Sequence, residues 1–184
     1  MTVNEIFAAL GYVIIGLQSL AVVVFVLFSY QKASQLFFGG RKDINSEADA
    51  FMHSCFITAI SVAVIHFSTS SLRDLILALE VEKMELRQIY YFFLFLMEFL
   101  FITCVFMFHK IRECKFSQVA RIAMLMGLVI CANQIVQFYI RGVQGYDFYM
   151  PYYKGIILFA NVVTLFVISV YPVMSVLRQR KKQY

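Results

Sequence analysis

The stretch QIYYFFLFLMEFLFITCVFMFH, Gln88 to His109, holds one carboxylate, Glu98, inside a run dominated by large apolar residues. A helix needs about 20 apolar residues to cross the hydrocarbon core of a bilayer, and this run is long enough. An ionised carboxylate at the centre of such a helix costs about 2.5–3.5 kcal/mol or more, so Glu98 needs a reason to be there. The whole chain shares this character. Of its 184 residues, 61% are hydrophobic and 15% charged, and its mean hydropathy is +0.77. Ordinary soluble domains are about 45–50% apolar and about 25% charged. The sequence therefore reads as all-α: a polytopic transmembrane helical bundle, a single domain over 1–184, with no room for a separate soluble catalytic domain of usual size.

Outward from that run, four more reach spanning length, giving expected spans at 6–30, 51–79, 88–109, 119–140 and 155–177. The second is the weakest, diluted by Ser68, Thr69, Ser70, Ser71, Arg73 and Asp74. Basic residues follow the first, third and fifth runs: Lys32, Arg41 and Lys42; Lys110, Arg112, Lys115 and Arg121; Arg178, Arg180, Lys181 and Lys182. The positive-inside rule then sets the N-terminus outside and the C-terminus in the cytoplasm, which requires an odd number of spans. Five satisfies it. No residue before Lys32 is basic, so the first run is expected to stay as a span rather than act as a cleaved signal peptide. The stretch YDFYMPYY, Tyr146 to Tyr153, suits an aromatic belt at the outer interface. Tyr171 and Pro172 predict a kink near the cytoplasmic end of the last span.

Each expected span carries a strongly hydrogen-bonding side chain toward mid-membrane: Gln18, His66, Glu98, Asn133 with Gln134, and Asn161. Folding the second and third spans about Glu82 sets His66 level with Glu98, making the histidine a candidate partner for the acid. This polar layer admits three readings. It is glue between helices or protomers, each bond contributing about 0.6–2 kcal/mol; it is an ion or proton route; or it is a sensor whose states differ in the charge of Glu98.

Enzyme signatures are absent from the sequence: no H-E-x-x-H, G-x-S-x-G, P-loop or G-x-G-x-x-G. Cys55, Cys104, Cys114 and Cys131 are scattered and read as packing residues, and His53, His66 and His109 lie at separate depths, so no metal or cofactor is expected. The expected cytoplasmic face is more telling. Arg41, Lys42, Arg112, Lys115, Arg178, Arg180, Lys181 and Lys182 form a basic surface suited to anionic lipid or to an acidic partner. The loop Gln31 to Ala50 adds an apolar LFF and the pair Gly39–Gly40.

In length, hydropathy profile and basic inner face, the chain resembles the membrane subunits of bacterial anti-phage defence systems, in particular the KwaA family of the Kiwa system. The resemblance implies a non-enzymatic sensor or scaffold of the cell inner membrane. Such a protein forms homo-oligomers and recruits a cytosolic effector such as KwaB, meeting nucleic acid only through that partner. A different class stays open: a small oligomeric channel or holin-like pore lined by Gln18, His66, Glu98 and Asn133. A secondary transporter would show internal repeats or broken helices, and the sequence shows neither.

Overall fold

The computed structural model describes residues 3–30, 33–38, 44 and 46–182, with side chains omitted at a few helix positions and from 175 onward. Among the described residues 88% are helical and none is in a strand. The helices are α1 (Val3–Phe28), α2 (Ala33–Phe38), α3 (Glu47–Leu77), α4 (Lys83–Ile111), α5 (Gln118–Gln137), continued by a π-helix (Phe138–Val143), and α6 (Met150–Lys182). All but α2 and the π-turn are long and apolar enough to cross a membrane. Each starts one to five residues before its expected span, because hydropathy sees only the apolar part of a helix whose hydrogen bonds continue into polar turns, whereas α1 and α3 end two residues short of theirs. The short α2, inside the Gln31 to Ala50 loop, went unread in the sequence.

Local chemistry sets the helix ends. Ser46 accepts from the Asp49 amide at 3.1 Å, with Glu47 and Asp49 favourably placed in the first turn of α3. Ser117 caps α5 in the same way, accepting from the Ala120 amide at 3.2 Å. Glu113, at φ 50°, turns the chain sharply between α4 and α5. Pro172 lies inside α6, which continues through it.

The long helices close a ring: α3 packs on α4, α4 on α5, α5 on α6, α6 on α1, and α1 on α3. In addition α3 touches α5 and α6, so it runs deepest. In the most apolar window of α3, 61% of residues are buried, against 22% in α1, α4 and α6. This explains why the expected second span is the least apolar: its neighbours are protein. Conversely, α1 and α4 expose rows of large apolar side chains, among them Leu10, Leu17, Leu20, Phe92, Leu96 and Phe99. Exposed apolar surface of this extent needs lipid or another protein over it.

The two ends of the bundle differ. One, here the tyrosine end, carries residues 78–82 and 144–149 and the start of α1. The other, the basic end, carries α2 and residues 112–117. The half of the bundle toward the basic end is filled by an apolar cluster of Ala59, Val62 and Ile65 from α3, Phe101 and Val105 from α4, Ala120 and Ala123 from α5, and Ile168 from α6.

Candidate functional site: a cavity lined by five helices

In the half toward the tyrosine end all five long helices line a cavity of about 400 Å³. Its walls are apolar, from Ile14, Ile15, Leu94, Met97, Ile130 and Ile157, while His66, Glu98 and Asn161 stand at its deep end and Arg73, Lys154 and Tyr12 at its rim. Directly beneath the deep end lie Ile65 and Phe101 of the apolar cluster. The cavity therefore has an apolar base.

The deep residues are held unequally. His66 Nδ1 lies 2.9 Å from Gln18 Oε1. A carboxamide oxygen only accepts, so Nδ1 carries the proton and the Nε2 of a neutral imidazole is left as an acceptor. Gln18 itself is fully buried, and its Nε2 has no hydrogen-bond partner among the described residues. Glu98 is 8% exposed and makes no hydrogen bond or ion pair among the described residues. Its room comes from Gly127: a Cβ there would stand 3.0 Å from Glu98 Oε1 and 3.0 Å from Ile102 Cγ1. The depth match between His66 and Glu98 thus brings both to one cavity, but the histidine's bond goes to α1 rather than to the acid.

Toward the tyrosine end, Asn133 and Gln134 tie α5 to α6, and Gln134 also lines the cavity. Asn133 Nδ2 donates to the Tyr153 carbonyl at 3.1 Å, Tyr149 donates to Asn133 Oδ1 at 2.9 Å, and Tyr153 donates to Gln134 Oε1 at 2.9 Å. The stretch Tyr146 to Tyr153 is therefore divided. Tyr149 and Tyr153 secure the amides, whereas Tyr146, Phe148 and Tyr152 are exposed, as belt residues would be. Gln137, one turn beyond Asn133, escaped sequence reading although its spacing put it on the same face. Its Nε2 donates to Tyr91 Oη at 3.3 Å, which Arg141 also reaches at 2.8 Å, while Gln137 Oε1 has no partner among the described residues. Arg141 pairs with Asp147 at 2.6 Å and holds its carboxyl below the usual carboxylate range. Gln88 Nε2 donates to the Gly142 carbonyl of the π-turn at 2.9 Å.

At the basic end, Arg112 points inward. It donates to His53 Nδ1 at 3.2 Å and to the Phe37 carbonyl of α2 at 2.9 Å, and burial lowers its pKa. Lys115 is exposed, as are Lys110 and Arg121. Arg41 and Lys42 lie outside the described residues; Arg178, Arg180, Lys181 and Lys182 lie on the end of α6, where side chains are not described. A buried relay joins α3, α4 and α5. The Ser117 amide donates to Ser54 Oγ at 3.0 Å, Ser54 Oγ lies 2.7 Å from His109 Nε2, and His109 Nδ1 lies 2.7 Å from the Val105 carbonyl. Both nitrogens of His109 are thereby engaged. No group of three or more acidic, histidine or cysteine side chains suited to a metal occurs among the described residues.

No family model, curated protein or solved structure matches the chain. Its function therefore rests on the chemistry of its own residues. The sequence signals that would have found the rim were Arg73 and Lys154, each seven positions from a deep residue: Arg73 from His66, and Lys154 from Asn161.

Proposed function

We propose that the chain is a non-enzymatic, multi-pass sensor and scaffold of the cell inner membrane, with the tyrosine end outside and the basic end in the cytoplasm. On this reading the cavity receives the stimulus and the basic end recruits a cytosolic effector, as the resemblance to KwaA-like subunits implies. One observation carries it: all five long helices line a cavity whose polar residues His66 and Glu98 lie next to an apolar cluster that spans four helices. A continuous polar path would favour a conduit. A pocket that stops at an apolar cluster favours a receptor. The exposed cations Lys110, Lys115 and Arg121 fall at the end that positive charge assigns to the cytoplasm.

The test is recovery of the chain from membranes in mild detergent, with mass spectrometry of what accompanies it. A cytosolic protein should co-purify. Lys115→Glu together with Arg121→Glu should weaken its recovery, and rising salt should weaken it further, because exposed charge attraction is screened. Arg112→Glu should instead act through the fold, since Arg112 is tied to His53 and α2. Recovery of the chain alone, together with single-channel conductance in planar bilayers, would replace the receptor reading with the pore.

A further inference from the structure

The deep end and the rim of the cavity have opposite chemistry. At the deep end stand the Glu98 carboxyl group and His66 Nε2, neither with a hydrogen-bond partner among the described residues, beside the Asn161 amide. An acceptor buried without a donor is costly, so a ligand that brings donors recovers that loss. At the rim stand Arg73 and Lys154. Arg73 Nη2 donates to Tyr12 Oη at 2.7 Å, and its Nε meets Asp74 at 3.1 Å. A guanidinium has five N–H donors, so these bonds leave others to spare.

The spacing between the two ends is defined twice. His66 and Arg73 on α3 are seven residues apart, and so are Asn161 and Lys154 on α6; at about 1.5 Å per residue both separations are roughly 10 Å, nearly two full turns along one helix face. The walls between are apolar.

We propose that the cavity binds an elongated zwitterion: a primary ammonium at Glu98, His66 and Asn161, an anionic group at Arg73 and Lys154, and an apolar spacer of roughly 10 Å between them. An ammonium has three donors and no acceptor, which matches the deep end. A molecule with the anion deep would face the Glu98 carboxyl group, and an uncharged alkane would bring it no donor. This deepens the reading of the cavity as the stimulus site.

The experiment uses purified full-length chain in mild detergent, without a partner, and measures binding calorimetrically and by thermal stabilisation. The probe is 8-aminooctanoate, compared with octylammonium, octanoate and octanol. The zwitterion should bind best, with octylammonium and octanoate each weaker by about tenfold or more, the equivalent of one charge-assisted contact. Glu98→Gln should remove the advantage of 8-aminooctanoate over octanoate. Arg73→Gln should remove its advantage over octylammonium and leave the ammonium preference intact. Equal binding of octanoate or octanol, or a Glu98→Gln variant that still prefers the ammonium, would overturn the proposal. Because no partner is present, a failure here is distinct from a failure of effector recruitment: a chain that captures an effector but ignores all four probes loses only this inference.

Discussion

Two polar regions lie within a few turns of each other in the same bundle, and they are built differently. Around Tyr91, Gln137, Arg141, Asn133 and Gln134, nearly every polar side chain is answered by a partner on another segment, leaving Gln137 Oε1 as the exception among the described residues. Around Glu98 and Gln18 the reverse holds: a buried acid without a bond, and an amide with half its bonds. Polar groups that hold helices together are expected to look like the first region. The second leaves buried polar groups unanswered, as a binding site would, and the contrast separates the glue reading of the polar layer from the receptor reading.

The contrast can be broken at Gly127. Gly127→Leu should have the largest effect of any change near the acid, because even the first carbon would press on Glu98, Ile102 and Phe101. Overpacking of this kind costs about 1–3 kcal/mol or more, and size-exclusion profiles in detergent should show loss of the compact form. Tyr91→Phe comes next: it removes the hydroxyl that serves both Gln137 and Arg141, at about 1–3 kcal/mol. Thermal unfolding in detergent would read this as a clear drop, and an unchanged midpoint would mean that the answered region is not structural after all.

Asp147 should matter less, being exposed and screened. Its carboxyl is held low by Arg141, so its contribution is complete above the ordinary carboxylate pKa near about 4 and fades as pH falls through the lowered value. Wild type and Asp147→Asn should therefore differ slightly in stability at neutral pH and converge in strong acid. The smallest effect on stability belongs to Glu98→Gln and Glu98→Leu. Neither substitution removes a bond among the described residues, so melting temperatures should stay level or rise, whereas glue would lose about 0.6–2 kcal/mol per bond with leucine. A large drop with Glu98→Leu would return the acid to a structural role.

Hydropathy and charge made the five long helices legible, because a helix facing lipid must advertise its apolar length. Depth was legible too, which is how His66 and Glu98 were matched. Direction around the helix axis was not. That depends on which helices are neighbours, and the contact of α1 with α3 is a ring closure between elements far apart in the chain. Hence His66 turns to Gln18, Asn133 and Gln134 turn to the tyrosines of α6, and Arg112 turns inward although basic residues in such loops ordinarily face water. The rim residues Arg73 and Lys154 were hidden for another reason: in the sequence they look like charges that merely end a span.

The deep position of α3 also bears on how the chain is made. With a hydropathy of 1.7 in its best window, against 2.4 for α1 and 2.2 for α4, it is the helix that lipid accepts least readily by itself. The Ser54 hydroxyl meets its partners, His109 and Ser117, only once α4 and the start of α5 have arrived. Biogenesis should therefore hold α3 near the insertion machinery until α4 emerges, the two entering as a hairpin. Truncated nascent chains ending just after residue 82 should show incomplete membrane integration of α3, and extension past residue 117 should restore it.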